Sequence, residues 1–149
     1  MGRDNFEKIP NGAPGIEFRI PLLFDSGVNA GRINLNRFVQ LTATAPAKMF
    51  GLFPRKGVIA VGSDVDLVLF DPLKPHTLSA STHPSNANYS LYEGKPVTGK
   101  VEKVFLRGQL IVNGDKWLGD RGNGKFQRRS ASVSGRVMEY QLEQYAPWE

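Results

Sequence analysis

The sequence predicts a fold of two characters, helical up to about residue 52 and built of strands and turns from residue 53 onward. Three observations predict it. Apolar residues recur at helical spacing in 16–28, at Ile16, Ile20, Leu23 and Phe24. Capping and breaking residues punctuate 34–51. Short apolar runs separated by Asn, Gly and Asp turn signals then fill 66–115.

Residues 1–15 read as a loop, because Pro10-Asn11-Gly12 and Pro14-Gly15 are strong turn signals. A helix is expected over 16–28, with Pro21 in its first turn or kinking it and with Gly27 and Gly31 bracketing its exit. Asn34 is a good N-cap, since its side chain can accept a free N–H of the first turn. Leu35, Phe38, Val39 and Thr42 are expected to share the apolar face of that helix. Pro46 is placed to start a second short helix that ends at Gly51, so 34–51 should form a bent helix pair.

Asp66 leads into an apolar strand up to Phe70, and 78–81 is a weaker strand candidate. A polar loop over 85–93 carries Tyr89 and Tyr92 as anchors. The run 97–107 alternates in part and becomes wholly apolar at 104–106, as a strand buried on both faces does. Arg107-Gly108-Gln109 is a tight turn into Leu110-Ile111-Val112, and Asn113-Gly114-Asp115 is another. From Arg121 the chain reads as a tail, with a short helix expected over 137–142.

Composition narrows the functions. A chain of 149 residues suffices for one domain of ordinary globular composition. It has no cysteine, so disulfides and thiolate metal sites are excluded. No apolar segment approaches the length of a membrane span, and no apolar run follows Met1-Gly2-Arg3-Asp4 as in a secretory signal, so a cytoplasmic protein is expected. The net charge of +5 is concentrated in Arg121, Lys125, Arg128, Arg129 and Arg136. With only Phe126 among them, nucleic-acid binding is disfavoured against a solvated or subunit-docking tail.

The two histidines, His76 and His83, have neither the i,i+4 spacing of a helical metal pair nor a His-x-His spacing. His83, in Thr82-His83-Pro84, is expected to be a surface or hydrogen-bonded loop residue. Ser63-Asp64-x-Asp66 lacks the further oxygen ligands of a calcium loop. Asp64 is expected to cap the turn and Asp66 to bond backbone N–H groups where the strand begins. The glycines at 57, 62 and 119–124 precede no Lys-Ser/Thr phosphate loop, and Ser130, Ser132 and Ser134 have no companion base. The residues themselves therefore supply no catalytic group and no metal ligand.

The motifs Ile9-Pro10-Asn11-Gly12, Leu35-Asn36-Arg37-Phe38 and Ala60-Val61-Gly62-Ser63-Asp64-Val65-Asp66, in this order, resemble the C-terminal part of the hydantoinase and dihydropyrimidinase group of the amidohydrolase superfamily. The resemblance runs from about Arg3 to Phe126. It departs at Thr82-His83-Pro84-Ser85-Asn86-Ala87-Asn88-Tyr89, where relatives tend to carry a second histidine and an aspartate. It implies the last loop and helices of a metal-dependent (β/α)8 barrel at 1–52, part of a composite β-sandwich at 53–120, and a C-terminal tail at 121–149 that makes subunit contacts.

That resemblance implies a parent that opens hydantoin or dihydropyrimidine rings at C–N bonds with a metal-activated water, zinc being the expected ion. Its metal-binding histidines, modified lysine and aspartate would lie upstream of Met1, so this chain alone is expected to hold no metal and to be inactive. It also implies that Asn11 contacts the ring amide through its main chain and that Gly12 permits close approach. A homo-oligomer built through the barrel end and tail is expected. A non-catalytic interaction module that pairs with a barrel-bearing chain stays open beside this reading.

Overall fold

The computed structural model describes residues 4–9, 12–83 and 85–130. Asn11 and the short helix expected within 137–142 lie outside them. A turn of 3-10 helix, Phe6–Lys8, is capped by Asn5, whose Oδ1 accepts the Glu7 N–H at 2.9 Å. A helical run then passes from a 3-10 turn, Ile16–Phe18, through α1, Arg19–Leu23, into a wide π turn, Phe24–Asn29. Its buried residues are Phe18, Pro21, Phe24 and Gly27, whereas Ile16 is 83% exposed. The inward face is thus offset from the expected one. It is set by Phe18, which forms a core cluster with Leu78 and Val97.

The second helical run is α2, Leu35–Val39, a π turn, Gln40–Thr44, and α3, Ala45–Met49. Asn34 caps it as expected, accepting the Arg37 N–H at 2.9 Å. The expected break before Pro46 is absent, because Thr44 and Ala45 keep helical backbone angles. The i→i+5 bond from the Ala45 N–H to the Gln40 carbonyl already interrupts the regular ladder, so the missing N–H of Pro46 removes little. Gly51, at φ 67°, ends the run, with the Leu52 N–H returning to the Ala47 carbonyl at 2.8 Å. Of the expected apolar face only Phe38 is buried, while Leu35 and Val39 stay exposed.

The β part is one antiparallel meander. Strands β1, Leu67–Thr77, β2, Pro96–Leu106, β3, Gln109–Asn113, and β4, Lys116–Trp117, lie in sequence order. The 78–81 segment is a turn rather than a strand. Glu93 takes the Ala80 N–H and the Ser79 hydroxyl, both at 2.7 Å, and so competes with strand pairing. Residues 104–106, expected to be buried on both faces, are only half-buried. Arg107, at φ 50°, and Gly108, at φ 81°, form the two-residue turn between the paired Leu106 and Gln109, a conformation that twists with the strands.

The helical runs pack on the sheet through three rings. Phe24 meets Phe38 edge-on at 5.5 Å, and Phe24 lies 4.7 Å from Phe70 of β1. Gly99 of β2, at φ 115°, makes room for them. The ladder between β2 and β3 ends at Lys103, leaving Thr98 without a β3 neighbour. Asp25 accepts the Thr98 N–H at 2.9 Å, and Asn29 donates to its carbonyl at 3.0 Å. The first helical run thereby satisfies backbone groups that the sheet leaves open.

Candidate functional site

Gly12 is exposed and has φ 144°, a conformation that glycine adopts far more readily than other residues. A Cβ built on it would meet nothing within 4 Å. The residue therefore borders open space, as an approach to a ligand would require. Its carbonyl is held by the Tyr89 hydroxyl, which donates at 3.2 Å. Three residues on, Gly15 lies against Tyr92: a Cβ there would come 3.4 Å from the Tyr92 ring. The loop over 12–15 is thus gripped by the loop over 85–93, whose two tyrosines the sequence marks as anchors.

That gripping loop is itself braced. Leu78 and Lys95 close its base, with the Leu78 N–H donating to the Lys95 carbonyl at 2.9 Å and the Gly94 N–H to the Leu78 carbonyl at 2.9 Å. Inside it, Glu93 holds Ser79 and Ala80, and the Tyr92 N–H reaches the Ser90 hydroxyl at 3.0 Å. The two backbone and hydroxyl hydrogen bonds to its carboxylate hold Glu93 below the ordinary carboxylate range.

His83 is not a surface residue. Its side chain is 1% exposed and packs edge-on against Phe18 at 5.4 Å. Its Nδ1 accepts the Ser85 N–H at 3.2 Å and lies 3.4 Å from Glu17. The sequence carries no local signal for this, because Phe18 and Glu17 come from the first helical run. His76 and His83 both border a cleft of about 470 Å3, together with Glu17, Lys100, Asp115 and Trp117. Burial, and after it the Lys100 ammonium, hold the His76 imidazole below its ordinary value.

These groups do not fit a metal ion. Among the described residues no three His, Asp or Glu side chains converge on one point. Asp64 and Asp66 are taken up by Lys56, which lies 2.8 Å from Asp64 and also bonds Asp66. Asp64 pairs with this lysine instead of capping the turn, whereas Asp66 does bond backbone, accepting the Arg107 N–H at 2.8 Å. The Lys56 hydrogen bond holds the Asp64 carboxyl below its usual range.

Residues 13–111 match the amidohydrolase family. The chain belongs to that family. This amidohydrolase chain is 48% identical over 130 residues to a D-hydantoinase of Geobacillus stearothermophilus, covering 87% of this chain and 28% of that protein. It is 48% identical over 128 residues to a D-hydantoinase of Ralstonia pickettii, with 86% and 28% covered. A solved dihydropyrimidinase from Brevibacillus agri superposes with a TM-score of 0.82 at 50% identity, over 87% of this chain and 28% of that one. The chain thus spans little more than a quarter of the length of these relatives. The family match begins at residue 13 and stops short of Asn11 and Gly12.

Proposed function

We propose that this chain is the C-terminal part of a hydrolase that opens cyclic amide rings, of hydantoin or dihydropyrimidine type, at a C–N bond. The observation that carries the proposal is the 48% identity to a D-hydantoinase over 87% of the chain. The share of the site proposed for this chain is recognition. The main chain of Asn11 would read the ring amide, because a backbone N–H and C=O at fixed positions form a rigid donor and acceptor pair, and Gly12 would permit the close approach. The open space beside Gly12 and its tethered carbonyl support that role.

The nucleophilic water, and zinc as the ion that activates it, would belong to the barrel of the parent, since the described side chains of this chain fit no metal. On this proposal residues 1–52 end that barrel, 53–120 belong to a composite β-sandwich, and 121–149 reach a neighbouring subunit of a homo-oligomer. The chain by itself is then inactive. A second reading, a non-catalytic module that pairs with a barrel-bearing chain, draws support from the unpartnered edge of β1 in the described sheet.

The test places this chain in the Geobacillus D-hydantoinase, in exchange for the segment it matches, and measures opening of hydantoin and dihydrouracil. Turnover is expected in the chimera and none in the isolated chain. Asn11→Pro, which removes an N–H and fixes φ, should abolish turnover, and Asn11→Ala should reduce it less. Equal kinetics for the two variants would reduce the loop to a turn. A folded, metal-loaded chimera without turnover would overturn the proposal.

A further inference from the structure

We infer that Tyr89 is a positioning residue for the amide-reading loop, with Tyr92 as its companion; the inference rests on the recognition role proposed for Asn11 and Gly12. The geometry is that of a loop clamped at two points on one side and pinned at its far end. Tyr89 holds the Gly12 carbonyl, one peptide beyond Asn11, at 3.2 Å. Tyr92 lies along Gly15, where glycine at φ 144° leaves space that a larger residue would take from the ring. Phe18, buried with Leu78 and Val97, pins the chain one turn further on.

A loop rich in glycine and proline needs such restraints. Gly12 and Gly15 both lose more backbone freedom on ordering than other residues do. A main-chain recognition element binds well only when that loss has been met before the substrate arrives. Tyr89 suits the task because its hydroxyl reaches a backbone acceptor, while the rest of its loop is closed at the base by Leu78 and Lys95 and inside by Glu93. The hydroxyl touches neither substrate nor reacting atoms in this role. It fixes the Gly12–Ala13 peptide.

Two measurements test this. In the isolated chain, the backbone order parameters of residues 12, 13 and 15 should fall in Tyr89→Phe, because the loop loses its tether. The denaturation midpoint should stay where it is. In the D-hydantoinase chimera, Tyr89→Phe and Tyr92→Ala should raise KM about 3- to 10-fold, the size expected for losing one neutral hydrogen bond, with kcat nearly unchanged, since they disturb binding of substrate and transition state alike. Metal content should not move. Asn11→Pro in the same chimera is read alongside. If Asn11→Pro abolishes turnover while Tyr89→Phe alters neither KM nor the order parameters, the clamp is refuted and the recognition role stands. If Tyr89→Phe loosens the loop but Asn11→Pro keeps full activity, the loop reads no substrate and both ideas fall.

Discussion

Asp66 accepts the main-chain N–H of Arg107 at 2.8 Å, across 41 residues of sequence. The Gly108 N–H adds a bond to the Val65 carbonyl at 2.8 Å. The start of β1 is therefore fastened to the turn that joins β2 to β3. Lys56 binds the other oxygen of Asp66 and also Asp64, so the loop leading into β1 is tied to the same point. One carboxylate thus organises a loop, a strand end and a turn.

Asp66→Ala should destabilise the chain by about 1–3 kcal/mol, because it leaves the Arg107 N–H and one contact of a half-buried ammonium unmet. Asp66→Asn keeps an acceptor for Arg107 and should cost less. Urea denaturation of the three proteins gives the order. Equal midpoints would mean that solvent replaces the carboxylate at no cost.

Gly99 separates the aromatic cluster from β2 by the width of a hydrogen. A Cβ there would lie 2.7 Å from Phe24 and 2.7 Å from Phe70, and the backbone sits at φ 115°. Gly99→Ala therefore combines overpacking with backbone strain and should cost roughly 1–3 kcal/mol or more. Loss of near-ultraviolet dichroism together with a lowered melting temperature is the expected result. A variant as stable as the parent would show that the helices can lift from the sheet freely.

Local signals in the sequence located the helix cap and the turns. Asn34 acts on an amide three residues away, and Arg107-Gly108 needs only its own backbone preferences, so both were legible. What failed depends on partners distant in sequence. Leu78 could have continued a strand, but Glu93 reaches back to Ser79 and Ala80 and turns the chain. His83 is the hydrogen-bonded loop residue expected, but its burial was not legible, because Phe18 and Glu17, which enclose it, belong to the first helical run. The continuous helix through Pro46 depends on a π turn, for which a list of residues holds no signal. Of the candidate site, Tyr89 and Tyr92 were legible as anchors, but what they hold was not.

Acid should weaken the fold through His76. Its folded pKa is lowered by burial and by Lys100, so the unfolded chain binds this proton more readily than the folded one. Its contribution is complete above the unfolded value of about 6.5 and is lost as pH falls from there through the lower folded value. The Lys100 ammonium opposes the imidazolium, as more weakly does that of Lys74, whereas the hydrogen bond to the Lys74 backbone and then Asp115 favour it. Asp64, Glu93 and Asp115 have lowered values, so their own losses come at more acidic pH, below about 4. Denaturation midpoints should fall between about pH 7 and pH 5 in the parent, and His76→Phe should flatten that fall. An unchanged slope in the variant would assign the acid sensitivity elsewhere.

The outer edge of β1 should govern association. In the described sheet β1 pairs with β2 alone, so its other edge presents free backbone groups. Its far half is guarded, since Pro72 and Pro75 offer no N–H and Asp71 and Lys74 carry charge. Its near half has no such guard: Val68 is 55% exposed and Leu69 46%. Each large apolar side chain that gains cover in a complex contributes up to roughly 1.5–3 kcal/mol. The isolated chain should therefore elute as an oligomer or aggregate at micromolar concentration. Val68→Lys should shift it toward monomer without lowering its melting temperature, because the added charge stands on an exposed position. Leu73→Lys, between the two prolines, should shift it less. An unsubstituted chain that elutes as a monomer with one sharp, reversible transition would show that the bare edge needs no partner.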